Sequence, residues 1–272
     1  MKRKLRFDGS WYPSDLEELE QLIKVIPSLD NEDVFGVVPH AGLYYSSSLI
    51  KLFFNTLKPE VNKMLLITPS HYYALEDDVV GGGNIDSFDC SLGNIPGFTI
   101  ASLQSGYEKV TEAEHAVEMI LPFITQRQDM SLCCAHVNRF TDVGVASKYA
   151  KMLLSEIDDK TAVVASSDFT HYGNNFRYTP YGSIVDDDLV DKVSAYDRDM
   201  ANRFASGDGK TAYLKATGRD KATICGIAPM LLVSEMARLN NMKGRILGQS
   251  NSIKGRIKDK DFVSYLSIAW RK

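Results

Sequence analysis

Five histidines and four cysteines are all that 272 residues provide. None of the cysteines, Cys90, Cys133, Cys134 and Cys225, stands in a C-x-x-C spacing, and the adjacent pair Cys133 and Cys134 would point to opposite faces of a strand. A disulfide framework or a zinc ribbon is therefore not expected. Long apolar runs are scarce as well: the longest, Ile227 to Val233, has seven residues and contains Pro229, far short of the ~20 that a membrane-spanning helix requires. A basic block is also missing. With 31 basic against 35 acidic side chains the net charge is −4, and beyond Lys2-Arg3-Lys4 the nearest thing to a cluster is the scattered cations of 254–260. Neither membrane nor nucleic acid is an expected partner. Asp8 and Gly9 soon follow the basic triplet where a secretion signal would need an apolar stretch, so the expected compartment is the cytoplasm.

What is present is an ordinary globular composition, 44% apolar and 24% charged, on a chain long enough to bury a full core without metal or disulfide staples. Ser14 and Glu17 read as a capping box opening a helix through Leu16, Leu19, Ile23 and Ile26. Short β-branched and apolar runs at 34–38, 63–68, 131–137 and 161–165 read as buried strands, separated by helical patterns at 46–57, 112–124 and 145–157. The glycine-rich stretch 78–103 suggests short antiparallel strands. Helical patterns follow at 179–205 and 227–239, and a hairpin at 245–250 and 262–269 closes the chain. The expected fold is α/β: a single domain over 1–272, with a central mixed β-sheet and helices on both faces.

Three of these strands stop in the same way. Val37-Val38 runs into Pro39-His40, Leu66-Ile67 into Thr68-Pro69-Ser70-His71, and Val163-Val164 into Ser166-Ser167-Asp168-Phe169-Thr170-His171. The carboxyl ends of strands in open α/β sheets border the ligand crevice, so three imidazoles and a carboxylate converge on one cleft. Such a set suits a transition metal, whereas a single histidine at a strand end is more often a hydrogen-bonded structural residue than a ligand. Cys225 precedes a helix whose N-terminus would lower its thiol pKa, favouring a thiolate nucleophile or ligand, although a small buried residue beside Gly226 is the plainer reading. The other three cysteines read as packing residues. Glu114 and Glu118, four apart around His115, read as a solvated helix face. Gly81-Gly82-Gly83 matches no phosphate-binding pattern, and neither H-E-x-x-H nor G-x-S-x-G occurs. His136, inside a strand, has no role.

Together these segments resemble the Memo family, whose prokaryotic members are known as AmmeMemoRadiSam system protein B. The resemblance rests on Gly9-Ser10-Trp11-Tyr12-Pro13, Pro39-His40-Ala41-Gly42 with Tyr44, Tyr45 and Ser46, Pro69-Ser70-His71, Glu114 to Met119 with Leu121-Pro122-Phe123, Ser166-Ser167-Asp168 with His171-Tyr172-Gly173, Cys225-Gly226, and Val263-Ser264-Tyr265. That family is similar in fold to class III extradiol dioxygenases, which hold iron(II) with two histidines and a carboxylate. The resemblance implies His40 and His71 as metal ligands and Cys225 in the carboxylate's place, a departure that favours iron or copper, with zinc as a further candidate, and puts ring cleavage in doubt. It implies Asp168 and His171 as acid–base groups lining the pocket. The activity implied is redox chemistry on an unknown small molecule. A peptide-binding module using the same cleft is the alternative, since animal members mediate receptor-driven cell motility, and metal-assisted hydrolysis with Asp168 as base is a third. The prokaryotic name implies a radical-SAM protein and a companion as partners.

Overall fold

A computed structural model describes residues 1–218, 221–253 and 260–272. The cations at 254–259 lie outside the described residues. The chain runs through β1 (Lys2–Arg3), α1 (Leu16–Ile23), β2 (Phe35–Val38), α2 (Leu43–Thr56) and β3 (Lys63–Thr68). It continues through β4 (Gly81–Gly82), β5 (Ser87–Cys90), β6 (Gly93–Pro96), α3 (Glu108–Ala113), α4 (His115–Glu118), α5 (Leu121–Ile124) and β7 (Ser131–His136). Then come α6 (Val143–Glu156), β8 (Thr161–Ser166), β9 (His171–Gly173), α7 (Asp187–Ala205), α8 (Gly209–Thr217), α9 (Ile227–Leu239), β10 (Lys243–Asn251) and β11 (Asp261–Arg271).

The main sheet has the order β10-β11-β2-β8-β3-β7-β4. Its centre, β2-β8-β3-β7, is parallel, while β11, β10 and β4 run antiparallel at the flanks. The parallel centre is what the strand–helix alternation predicts, and the sheet is mixed, as expected once the turn-rich stretch 78–103 is added. Alternate residues of each central strand feed two cores: Val37, Leu65, Ile67, Cys133 and Val163 face the side covered by α6 to α9, and Val38, Met64, Leu66, Cys134 and Val164 face α1, α2, α4 and α5. Cys133 and Cys134 thus do point to opposite faces. Burial pushes the Cys90 thiol up to about 11 and the Cys133 thiol to about 12, as suits packing residues. Within the turn-rich stretch β4 joins the edge of the main sheet, whereas β5 and β6 pair with β1 in a second, small sheet.

Three local expectations change. The first helix is capped by Asp15, whose carboxylate accepts the Glu18 N–H, in place of Ser14. The first eight residues of 179–205 are not helix: α7 starts at Asp187, where Asp186 caps the Leu189 N–H. The expected helix 112–124 breaks into α3, α4 and α5, because Glu114 adopts an extended backbone (φ −77°, ψ 118°) and turns its own carboxylate onto the Ala116 N–H. Pro122 opens α5, where its missing N–H is not needed.

That break folds Glu118 inward. Its carboxylate meets the fully buried Arg3 guanidinium at 2.8 Å and accepts the Arg6 and Phe7 N–H groups and the Tyr12 hydroxyl. The N-terminal segment is thereby strapped across the helical turn that carries His115, laying Phe7 and Trp11 against that imidazole.

Candidate metal centre

Register places the ends of the parallel strands side by side, with Val38 opposite Ser166 and Thr68 opposite His136. The residues just beyond leave the sheet at one edge, as the strand-end rule requires. Pro39 and Pro69 help end the ladders there, having no N–H to donate.

His40 is almost fully buried. Its backbone N–H donates to Asp168 Oδ1 at 2.8 Å, its Nδ1 lies 2.8 Å from Ser166 Oγ, and its Nε2 lies 3.2 Å from Cys225 Sγ. His71 stands at the mouth: its N–H donates to Glu114 Oε2 (2.7 Å) and its Nδ1 lies 2.8 Å from Glu114 Oε1. An ionised carboxylate only accepts, so Nδ1 carries the proton and Nε2 is the nitrogen left for a ligand. Cys225 Sγ accepts the Asp168 N–H at 3.2 Å. Gly226 allows this approach, since a Cβ there would fall 2.4 Å from the Ser166 carbonyl oxygen. One ligand atom each from His40, His71 and Cys225 lies within 4.8 Å of the others.

Asp168 Oδ1 accepts the N–H groups of His40 and Ala41, so the carboxylate braces the loop that carries His40. His171 Nδ1 lies 3.0 Å from the Phe169 carbonyl and 2.9 Å from that of Thr223. Both partners are acceptors, which protonates Nδ1 and directs the free chemistry of the ring to Nε2. Asp197 on α7 holds the intervening residue by accepting the Thr170 N–H and hydroxyl, and burial lifts its carboxyl to about 6.

Burial dominates the electrostatics. It drives His40 well below its ordinary value, with His115, His71 and His171 adding repulsion. It raises Asp168, partly offset by the nearby His171. The Cys225 thiol is pushed well up by burial and then by Asp168. This corrects the expectation of a lowered thiol: the N-terminus of α9 is too weak a counterweight to desolvation and a neighbouring carboxylate.

Two carboxylates expected on a solvated helix face lie inside the protein, and a fourth imidazole joins the site. Glu114 and Glu118 are buried, not solvated. Burial alone would raise the Glu114 carboxyl, yet His71 and His115 hold it below its usual value. His115 Nδ1 lies 3.2 Å from Glu114 Oε1 and 3.1 Å from the Tyr72 hydroxyl, and its ring sits 4.4 Å from both the His71 and Trp11 rings. Burial lowers His115 to about 4. Spacing could not reveal this, because it depends on the extended conformation of Glu114. His136 is the satisfied core histidine its context suggests, bridging the Thr68 and Thr111 hydroxyls at 2.8 Å each.

Comparison with known proteins agrees over nearly the whole chain. The family model described as Memo-like protein matches residues 3–269. A MEMO1 family protein of Methanosarcina mazei is 29% identical over 280 residues, covering 96% of both chains. One of Schizosaccharomyces pombe is 25% identical, covering 89% of this chain and 90% of the yeast protein. A protein memo-1 homolog of Caenorhabditis elegans is 26% identical, covering 95% of this chain and 79% of its own. A crystal structure of an uncharacterized Escherichia coli K12 protein aligns over 86% of this chain at 13% identity and a TM-score of 0.42, too distant to carry an argument. Among the described residues no helix is long and apolar enough to cross a membrane. From residue 3 to residue 269, the chain belongs to the Memo-like protein family.

Proposed function

We propose that this protein binds a transition metal through His40, His71 and Cys225 and uses it in redox chemistry on a small molecule. The observation that carries the reading is the 3.2 Å approach of His40 Nε2 to Cys225 Sγ, with a His71 nitrogen within 4.8 Å of both. The donor set fits such an ion: two imidazoles whose outer nitrogens are engaged by Ser166 and Glu114, and a sulfur that becomes a ligand once its proton leaves. Two imidazoles and a thiolate suit iron or copper, with zinc as the non-redox occupant. A bound iron or copper ion would supply electron transfer and an acidic position for substrate.

The chain's own groups do the rest. Asp168 holds the His40 loop in place and, with burial raising its carboxyl, can retain a proton near the site. His171 offers Nε2 as a proton acceptor, its tautomer held by two carbonyls. The active fold is read as similar to class III extradiol dioxygenases, the working compartment as cytoplasmic, and a radical-SAM protein with a companion as partners by family analogy. Metal-assisted hydrolysis with Asp168 as base is a third reading, in which Oδ2 would take the proton because Oδ1 accepts two backbone N–H groups.

A peptide-binding role for the same cleft has one observation in its favour: Tyr44, Tyr45, Tyr72 and Tyr73 follow His40 and His71 closely and are exposed. Metal analysis after anaerobic purification decides between the two. Near-stoichiometric iron or copper in the wild type, lost in His40→Ala and Cys225→Ser, is the expected result. Metal content unchanged in both variants, or a wild type that takes up no metal, refutes the metal reading and leaves the peptide role.

A further inference from the structure

A second set of donors stands on the other edge of the His71 ring. His71 Nδ1, Glu114 Oε1 and His115 Nδ1 converge, with the carboxylate oxygen 2.8 Å from the first imidazole and 3.2 Å from the second. Two donors bonded at ~2.1 Å and set at right angles about one ion are about 3.0 Å apart, so these separations already match the edges of a coordination polyhedron. We propose that His71, Glu114 and His115 form a second cation position, for a divalent ion of the manganese or iron(II) type, distinct from the set that contains Cys225.

Four features support it. The carboxylate is built into place: Oε2 accepts the His71 N–H at 2.7 Å and Oε1 the Ala116 N–H at 3.1 Å, so its orientation does not depend on the imidazoles. The His115 ring is clamped between Trp11 and His71. Glu114 and His115 are buried whereas the His71 side chain is 29% exposed, which gives an ion one open approach. Finally, no lysine or arginine side chain among the described residues pairs with the Glu114 carboxylate. The nearby Arg3 is spent on the Glu114 backbone carbonyl and on Glu118. A buried carboxylate met by imidazoles and backbone N–H groups, with no fixed cation beside it, is the group that gains most from one.

The chemistry separates the two positions. Two imidazoles and a carboxylate with open sites suit iron(II) and manganese, whereas the thiolate set suits softer ions. An ion here displaces the proton on the His71 Nδ1 edge and leaves Nε2 turned away from it. The proposal needs no ion at His40 and Cys225, so either site can fail without the other.

The test is a Mn2+ titration of the full chain, with free ion followed by electron paramagnetic resonance, on the wild type, Cys225→Ser, His115→Ala and Glu114→Gln, each checked for folding by thermal melting. The wild type is expected to bind one Mn2+. Cys225→Ser should retain its affinity within about threefold, because that ligand belongs to the other set. His115→Ala and Glu114→Gln should each weaken it by roughly tenfold or more. His115→Ala leaves the contact between Glu114 and His71 in place, so it separates a lost ligand from a disturbed fold. Absence of Mn2+ binding in the wild type, or binding lost in Cys225→Ser and kept in His115→Ala, overturns the proposal. Iron and copper contents of the same Cys225→Ser protein report separately on the first site.

Discussion

Glu114 and Glu118 are four residues apart, both buried, and alike in a sequence reading, yet they meet opposite chemistry. Glu118 faces a guanidinium, two backbone N–H groups and a phenol, and its charge is matched by a full cation of the fold. Glu114 faces two imidazoles and two backbone N–H groups. A buried carboxylate answered by arginine is a structural tie, because the cation is always present and the pair has nothing further to bind. One answered by imidazoles that can be neutral keeps charge in reserve, and it sits where that charge can set a tautomer or receive an ion. One glutamate holds the N-terminal strap down; the other prepares the site that the strap covers.

Substitution is the sharpest way to break this contrast. Glu118→Ala leaves Arg3 buried without a counter-charge and is expected to cost about 3–5 kcal/mol, read from urea unfolding. Glu114→Gln should cost about 1–3 kcal/mol, since one of its two oxygens becomes an NH2 that cannot accept and one buried N–H loses its partner. Its larger effect should fall on metal: iron or copper affinity lower by ~10–100-fold through His71. Equal stability losses with unchanged metal affinity would show the two glutamates to be equivalent and the contrast false.

Acid titrates a different histidine and sets a smaller effect. Burial lowers His136 to about 4, with Glu114 pulling it up and Arg3 pushing it down more weakly. The unfolded chain, with an ordinary imidazole near ~6.5, takes up the proton first, so this contribution is complete above that value and is lost as pH falls toward 4. The full loss is on the order of 3 kcal/mol. His115 is lowered to about 4 as well and adds a loss over the same range, so urea unfolding between pH 7 and pH 4.5 is compared for the wild type and His115→Ala, alongside an NMR titration of the His136 ring. A His136 that titrates at its ordinary value with stability flat across that range contradicts it. Smallest of all, Ser166→Ala removes the partner of His40 Nδ1 and should cost about 1 kcal/mol, with a modest loss of metal affinity. No change in either would mean that Ser166 does not orient the ring.

Much of this was legible in the chain itself. The parallel core could be read because its strands are continuous apolar runs, buried on both faces, and the histidines stood out because each follows such a run directly. Cys225 entered the ligand set only through the family resemblance, since its glycine neighbour by itself favours a small packing residue. Glu114 was not, since a glutamate four residues before another looks like a helix surface until the backbone is seen to break between α3 and α4. His115, Trp11 and Tyr72 were hidden for a related reason: they join the site through the strap that Arg3 and Glu118 hold, a pairing 115 residues apart in sequence. The state of the Cys225 thiol was misread because local helix position says nothing about burial or about Asp168 beside it.

The most direct test of the metal centre is an anomalous difference map from a crystal of anaerobically purified protein, collected at the absorption edge of whichever metal co-purifies. A peak in bonding contact with Cys225 Sγ, His40 Nε2 and His71 Nε2 is the predicted result. A map with no peak there, or with its peak away from Cys225, would contradict the assignment.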